Sequence, residues 1–173
     1  RYENIMENSI CLLLTSTIEI QNKSLVQRNN TQQRLRDYKE ALRSWLTKQK
    51  NISKIVFVDN SGYPLDELKA LVQSNNNPFN KQIEFLSCDP SEMPKLDRSG
   101  GELKTIDYAL EKSEIMKDCA YFAKITGRLF IRNIDKIVDN LPNYFHIVSN
   151  FSNNLAYMIT VLIFFEKDFY KEK

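Results

Sequence analysis

The sequence predicts an α/β fold: an open, mainly parallel sheet flanked by helices. Short apolar runs typical of buried strands alternate along the chain with amphipathic segments typical of helices. Strands that alternate with helices imply parallel neighbours joined by right-handed crossovers. A hydrophobic fraction of 42% and 19 aromatic residues, counting Phe, Tyr and Trp, favour a globular chain over a disordered one.

The first half of the chain contains three predicted strands and two predicted helices. Residues 9–15, SICLLLT, form the first strand, followed by a polar stretch and a helix over residues 31–49. Five apolar residues recur in that helix at helical spacing: Leu35, Tyr38, Leu42, Trp45 and Leu46. Residues 54–58, KIVFV, predict the second strand, residues 65–72 a short helix that Pro64 starts, and residues 82–87 the third strand.

The second half begins with a loop rich in Pro, Asp and Ser over residues 88–100. A helix is expected over residues 102–116, a fourth strand over 119–125 and one or two helical turns over 133–141. Residues 146–151 and 160–165 predict later strands, whose antiparallel orientation is left open. Without a repeat or a linker, residues 1–173 are expected to form a single domain. Because the chain begins with Arg1 rather than Met, we expect a fragment, with residues missing at the termini and near positions 99–101.

Composition disfavours several classes of function. The net charge is +2, from 24 basic and 22 acidic residues, which does not indicate nucleic-acid binding, since that function usually shows as a concentrated basic face. The three cysteines have no metal-type spacing, and one histidine gives little material for a metal cluster or a catalytic triad. The longest apolar run, residues 158–165, is too short to cross a bilayer. We therefore expect a cytoplasmic protein.

Ligands of open α/β sheets bind at the carboxyl ends of the strands. All four predicted early strands end in polar residues, at Thr15-Ser16, Asp59-Asn60-Ser61, Ser87-Cys88-Asp89 and Thr126-Gly127-Arg128. Polar strand ends are also what any turn needs, so each of them alone is compatible with a purely structural role. Together they predict a site for a polar ligand.

Three stretches give this prediction its chemistry. In VDNSG, residues 58–62, an acid directly after a strand can bind a ribose or a base edge, or form an Asx-turn. In SGGELKTIDYALEKS, residues 99–113, the glycines at the helix start can let backbone N–H groups approach an anion, while Glu102 also suits the helix dipole. In FAKITGR, residues 122–128, Lys124 and Arg128 are natural partners for phosphate oxygens. The alternative is that Lys124 pairs with a carboxylate at the edge of the core and that Arg128 is solvated.

The order of CLLLTST, YKEALRSWL, KIVFVDNSGY, IEFLS, GELKTIDYALEKS and FAKITGR resembles bacterial glycosyltransferases of the GT-A type, which have a Rossmann-like fold. It is similar more narrowly to small enzymes of lipopolysaccharide or capsule synthesis with a Lys-Ile-Thr-Gly-Arg signature. The resemblance covers most of residues 9–170. Neither GxGxxG nor GxxxxGK[ST] occurs in the chain.

The resemblance implies a nucleotide-sugar donor and a glycan or lipid-linked acceptor. Eleven residues match the segments that would hold the donor: Thr15, Ser16, Asp59, Asn60, Ser61, Gly100, Gly101, Lys124, Thr126, Gly127 and Arg128. The carboxylates Asp89, Glu102 and Asp107 are the candidate catalytic residues, with Asp97 and Asp168 as further candidates. Each of these acids is also compatible with a surface role. A position at the inner membrane face, peripheral membrane contact through the C-terminal FFEKDFYKEK and a homodimer are left open.

The sequence departs from the GT-A pattern at one point, since residues 122–128 contain no Asp-x-Asp metal motif. Lys124 and Arg128 can offset the charge of the departing diphosphate instead, which favours metal-independent transfer and leaves Mn²⁺ or Mg²⁺ as the alternative. A non-catalytic nucleotide- or glycan-binding module is the second hypothesis. A nucleotidyltransferase is a weaker third one, because LTSTIEIQNK lacks the glycines expected after the first strand.

Overall fold

A computed structural model of the chain describes residues 10–20, 30–73, 76–89, 91, 98–151 and 158–172. Six strands form a single sheet in the order β3-β2-β1-β4-β6-β5. The strands are β1 Ile10–Ser16, β2 Lys54–Asp59, β3 Gln82–Ser87, β4 Tyr121–Thr126, β5 Ile147–Phe151 and β6 Met158–Glu166. The helices are α1 Thr31–Thr47, α2 Asp66–Gln73, α3 Arg98–Lys112, α4 Glu114–Lys117, α5 Ile134–Asp139 and α6 Lys167–Lys171.

The predicted fold class is confirmed. Strands β1 to β4 are parallel to one another, whereas β6 is antiparallel to both β4 and β5. Every residue of β1 is buried, as expected for a central strand that helices cover on both faces. Successive β1 side chains alternate between two cores, with Leu12 and Leu14 in one and Cys11 and Leu13 in the other.

Helix α1 covers the first of these faces. All five apolar residues that predicted this helix are buried in it, and Asn30 caps its start by accepting a hydrogen bond from the backbone N–H of Gln33 at 2.9 Å. Helix α3 covers the other face through Ile106, Ala109 and Leu110. None of the helices in the described ranges has the length and apolar character that crossing a membrane requires.

The region around α3 differs from the sequence prediction. The helix begins at Arg98, so Gly100 and Gly101 lie in its first turn rather than before it. It ends at Lys112, because the Ser113 hydroxyl accepts from the backbone N–H of Met116 at 3.0 Å and so starts the separate helix α4. The same hydroxyl donates to the Glu84 carboxylate on β3. A contact between distant residues therefore divides the helix that was predicted over residues 102–116.

Two further differences concern the strands that follow. Strand β4 begins at Tyr121, two residues later than predicted, because the backbone N–H of Cys119 donates to Met116 O at 3.4 Å rather than to the sheet. Helix α6 follows β6 directly and was not predicted. Its Lys167 donates to the carbonyl oxygens of Met116 and Lys117 at the end of α4, which connects the last helix to α4.

Candidate functional site

The residues that follow β1, β2 and β4 lie together, and we call them the carboxyl edge. Strand β1 has β2 on one side and β4 on the other. The chain therefore adds β2 and β3 on one side of β1 and then crosses to the other side to add β4. The place where the strand order changes sides is the topological switch point, and open α/β sheets bind their ligands there. Two hydrogen bonds extend the sheet past the strand ends: Asn60 N–H donates to Ser16 O at 3.0 Å, and Gly127 N–H donates to Thr15 O at 2.7 Å.

Asp59 organises this edge from within. Its carboxylate is fully buried. One carboxylate oxygen accepts from the Ser16 hydroxyl at 2.8 Å and from Ile18 N–H at 2.9 Å. The other accepts from the backbone N–H and the hydroxyl of Ser61, at 2.8 and 2.5 Å. Asp59 therefore fixes the segments after β1 and β2 relative to each other. Its predicted contact with a nucleoside stays a prediction.

Arg34 and Tyr38 of α1 hold the residue that follows β1. The Arg34 guanidinium donates to the Thr17 carbonyl from two nitrogens, at 2.8 and 2.5 Å. The Tyr38 hydroxyl accepts from Thr17 N–H at 3.1 Å, and burial raises the pKa of Tyr38. Both backbone groups of Thr17 are thereby fixed.

Our sequence reasoning missed Arg34 and Thr17. The available signal was a charged residue one helical turn before Tyr38, on the apolar face of a helix, where a cation needs a buried acceptor. The structure shows that Arg34 is only 8% exposed and that its acceptor is the Thr17 carbonyl.

A chain of hydrogen bonds continues from Thr17 to α3. The Thr17 hydroxyl donates to Asn60 Oδ1 at 2.6 Å, and Asn60 Nδ2 donates to the Thr105 hydroxyl at 2.9 Å. Thr105 in turn donates to Gly101 O at 2.8 Å, within its own helix. The carboxyl edge is thus connected to the first turn of α3, and Thr105 is another residue that the sequence did not single out.

Lys124 has an anionic partner inside the chain. It lies on β4 with only 1% of its side chain exposed, and its ammonium group forms an ion pair with the Glu102 carboxylate on α3. The sequence had left open that Lys124 pairs with a carboxylate at the edge of the core. Glu102 is that carboxylate. A donor diphosphate as a second partner for Lys124 stays a prediction.

The two residues after Thr126 differ in their surroundings. A Cβ atom on Gly127 would lie 3.0 Å from the carbonyl oxygen of Thr15, so the close approach of β1 favours glycine here. Arg128 is exposed and forms no ion pair with another described residue. Its charge lies near enough to the Tyr38 hydroxyl to oppose the rise of the Tyr38 pKa. Arg128 is therefore a solvent-facing cation within electrostatic range of Tyr38, whose hydroxyl accepts from Thr17 N–H.

The three candidate catalytic acids occupy different places. Asp89 is exposed after β3, and hydrogen bonds from the Ser91 hydroxyl and backbone N–H lower its pKa. Glu102 is held by Lys124. Asp107 accepts from the Tyr170 hydroxyl at 3.2 Å.

Tyr170 places Asp107 away from the carboxyl edge. Its ring packs on Phe122, near the start of β4, about 13 Å along the strand from Thr126. The structure thus brings two of the three acids towards the carboxyl end of the sheet. Asp168 is exposed on α6, and Asp97 lies outside the described residues.

The described side chains do not fit a metal at the end of β4. No group of three or more His, Cys, Asp or Glu residues that could hold an ion is present in the described ranges. The charged residues of the FAKITGR stretch, Lys124 and Arg128, are cations and cannot act as metal ligands there. We therefore derive no step through a metal.

No protein-family model matches the chain, and no curated protein matches it. Among similar solved structures is a protein assigned as a nucleotide-diphospho-sugar transferase, from Desulfovibrio desulfuricans G20. It aligns with a TM-score of 0.51 and 12% identity, over 92% of this chain and 64% of its own. A cytidylyltransferase from Leptospira borgpetersenii serovar Hardjo-bovis aligns with a TM-score of 0.52 and 12% identity, over 95% of this chain and 63% of its own.

The chain shares the fold of these two proteins. It spans less than two thirds of the length of either one. At 12% identity the likeness concerns the fold alone, and the chemistry has to be argued from the residues at the carboxyl edge.

Proposed function

We propose that this protein is a glycosyltransferase that binds a nucleotide-sugar donor at the carboxyl edge. The observation that carries the proposal is the position of Arg128, an exposed cation that follows β4 at the switch point of the sheet, where Thr17 and Asn60 follow the strands β1 and β2. A guanidinium group suits the paired oxygens of a diphosphate, and the polar groups around it suit a nucleoside. The likeness in fold to a protein assigned as a nucleotide-diphospho-sugar transferase supports the same class.

In this proposal Arg128 stabilises the diphosphate as it leaves. The bond between the anomeric carbon and the diphosphate oxygen breaks, a bond to the acceptor oxygen forms, and negative charge accumulates on the departing nucleoside diphosphate. A fixed cation lowers the energy of that developing charge. Among the candidate acids, Asp89 is the one we assign to receive the acceptor proton, because it is exposed after β3, whereas Glu102 is paired with Lys124 and Asp107 accepts from Tyr170.

The acceptor class rests on the sequence resemblance. A lipopolysaccharide or capsule glycan, free or lipid-linked, and transfer of a hexose are parts of the proposal, as is a bacterial, cytoplasmic enzyme. Peripheral contact with the inner membrane face and a homodimer are left as additions to it. The eleven donor-binding residues and the option of Mn²⁺ or Mg²⁺ also stay predictions.

A nucleotidyltransferase is the second candidate, because the cytidylyltransferase aligns as well as the sugar transferase does. A nucleotidyltransferase would bind a nucleoside triphosphate and release pyrophosphate. The LTSTIEIQNK segment contains no glycine with which to approach three phosphates closely, which favours the sugar-transfer reading. A non-catalytic binding module would bind the same ligands without turnover.

A nucleotide panel separates these candidates. Thermal denaturation of the full chain is followed with nucleoside diphosphates, nucleotide sugars and nucleoside triphosphates, and release of the diphosphate is assayed with each sugar donor. Stabilisation by one diphosphate and its sugar, with slow donor hydrolysis, supports a glycosyltransferase. Preference for a triphosphate, with release of pyrophosphate, supports a nucleotidyltransferase. Binding without turnover across an acceptor panel supports the module.

Substitution of Arg128 tests the residue that carries the proposal. We expect Arg128→Ala to raise the dissociation constant of the diphosphate about tenfold or more, and Arg128→Lys to recover part of the loss. Arg43→Ala is the matched control, because Arg43 is an exposed arginine near the C-terminal end of α1. Equal affinities in the Arg128→Ala and Arg43→Ala variants would refute the placement of the diphosphate.

A further inference from the structure

The side-chain amide of Asn60 lies between two hydroxyl groups from opposite faces of the sheet. Thr17 follows β1 and is fixed by α1, which covers one face, whereas Thr105 belongs to α3, which covers the other. The amide oxygen of Asn60 accepts from Thr17 at 2.6 Å, and the amide nitrogen donates to Thr105 at 2.9 Å. No other residue type offers both an acceptor and a donor in this geometry at this length.

The surroundings of Thr105 make this contact specific. Thr105 is fully buried, and its single hydroxyl proton is given to Gly101 O at 2.8 Å. The hydroxyl oxygen must therefore accept at its other side, which only a donor can satisfy. Aspartate at position 60 would present an oxygen there and compete with Gly101 for the one proton. The order of donors and acceptors from Thr17 to Gly101 is therefore fixed.

We infer that Asn60 is a positioning residue that sets the first turn of α3 against the carboxyl edge and thereby shapes the donor site. This inference rests on the proposed function. Asn60 acts through Thr105 on residues 98–101, the turn that also precedes Glu102 and its ion pair with Lys124. A donor that binds between Arg128 and this turn then depends on Asn60 without needing to touch it.

Three single variants and the double variant Asn60→Ala/Thr105→Val separate positioning from direct contact. Thr105→Val keeps the shape of the side chain and removes the hydroxyl, whereas Thr105→Ser keeps the hydroxyl. Asn60→Ala removes both hydrogen bonds. If Asn60 acts through Thr105, Thr105→Val and Asn60→Ala each weaken nucleoside diphosphate binding about 3- to 30-fold. Thr105→Ser then binds within about twofold of the wild type. The double variant Asn60→Ala/Thr105→Val binds no more weakly than either single variant.

Thr47→Val is the matched control. Thr47 makes the same bond to a carbonyl four residues earlier, Arg43 O at 2.8 Å, but near the far end of α1. We expect this variant to bind nucleoside diphosphates as the wild type does. If Thr105→Val also binds as the wild type does while Asn60→Ala is weakened, Asn60 touches the ligand itself and the positioning role is overturned.

Hydrogen exchange provides a readout that needs no ligand. We expect Asn60→Ala and Thr105→Val to raise amide exchange over residues 98–106 at least threefold, and Thr47→Val to leave it unchanged. Unchanged exchange in Asn60→Ala would overturn the coupling to α3. If the wild type binds no nucleoside diphosphate, uridine and cytidine diphosphates included, the donor function fails, and the exchange data alone still decide whether Asn60 positions the helix.

Discussion

The ammonium group of Lys124 contacts the carboxylate of Glu102, so a buried cation on β4 is paired with an acid in the second turn of α3. The pair joins the central sheet to the helix whose first turn lies at the carboxyl edge. Lys124 is 1% exposed and Glu102 is 33% exposed, so the cation is the more costly partner to leave in the interior. Of the two cations in FAKITGR, Arg128 is the one that faces solvent.

The ion pair predicts an asymmetry in stability. Glu102→Gln removes the carboxylate beside a buried charge and should lower the free energy of unfolding by about 1–3 kcal/mol, measured by urea denaturation. Glu102→Gln combined with Lys124→Met should recover part of that loss. The control is Glu111→Gln, which breaks the exposed pair between Glu111 and Lys112 and should cost less than about 0.5 kcal/mol. If Glu102→Gln and Glu111→Gln lower the free energy of unfolding equally, the buried pair contributes no more to stability than the exposed pair.

The hydrogen bonds of Asp59 predict that its substitution destabilises the fold. Asp59→Asn replaces one acceptor oxygen with a donor, which faces existing N–H and O–H donors on either side. We expect a loss of about 2 kcal/mol, and a larger loss of about 3–5 kcal/mol in Asp59→Ala. Asp66→Asn, an exposed acid in the first turn of α2, should cost less than about 1 kcal/mol. Thermal denaturation at one pH measures all three, and a small effect of Asp59→Ala would contradict its organising role.

The two glycines near the site should respond in opposite ways to alanine. A Cβ at Gly127 would meet Thr15 O at 3.0 Å, so Gly127→Ala should lower stability by about 1–3 kcal/mol as β1 and β4 are forced apart. A Cβ at Gly101 meets no atom within 4 Å, so Gly101→Ala should raise stability by up to about 1 kcal/mol within a helix. Weaker nucleotide binding in a stable Gly101→Ala variant would place the ligand against this turn.

Because Lys81 is buried, we expect the stability of the protein to depend on pH. Lys81 is 4% exposed, and its ammonium group donates to Gln49 Oε1 and Ile52 O, at 2.7 and 2.6 Å. Burial lowers its pKa from 10.5 to about 8. Between these values the unfolded state binds more protons than the folded state, so this residue's contribution to stability rises with pH from about 8 to 10.5.

The measurement compares the free energy of unfolding of the wild type and of Lys81→Met across that pH range. The difference between them should shift in favour of the wild type as the pH rises, by no more than about 3 kcal/mol. The control is Lys69→Met, at an exposed lysine of α2. If the Lys81→Met difference does not change with pH, the lysine titrates alike in both states, and its burial carries no cost.

The apolar pattern was enough to predict the sheet. Strand β3 has the bounds that residues 82–87 predicted, and the buried face of α1 consists of the residues that recurred at helical spacing. Such patterns are local, so a sequence displays them. The end of α3 was mispredicted because Ser113 bonds to Glu84, which lies on another strand and leaves no local trace. Helix α6 was missed because five residues are too few for a helical period to be detected.

The sequence selected only some of the residues that lie at the candidate site. The rule that ligands bind at the carboxyl ends of strands selected Asp59, Asn60 and Arg128, and the sheet order brings all three to the edge around β1. The holding residues Arg34 and Tyr38, and the anchoring residue Thr105, were not selected. Their roles depend on hydrogen bonds between residues 17 to 45 positions apart.

Hydrophobic periodicity and turn chemistry are properties of neighbouring residues, so the sequence alone was enough to predict the buried strands, helix α1 and the polar ends of the strands. The tertiary structure alone decided which polar groups are already bonded to one another. Asp59 is enclosed by donors and Lys124 meets Glu102, whereas Arg128 faces solvent. That distinction depends on the order and register of strands distant in sequence, since only packing establishes which charges meet inside the protein and which one faces solvent.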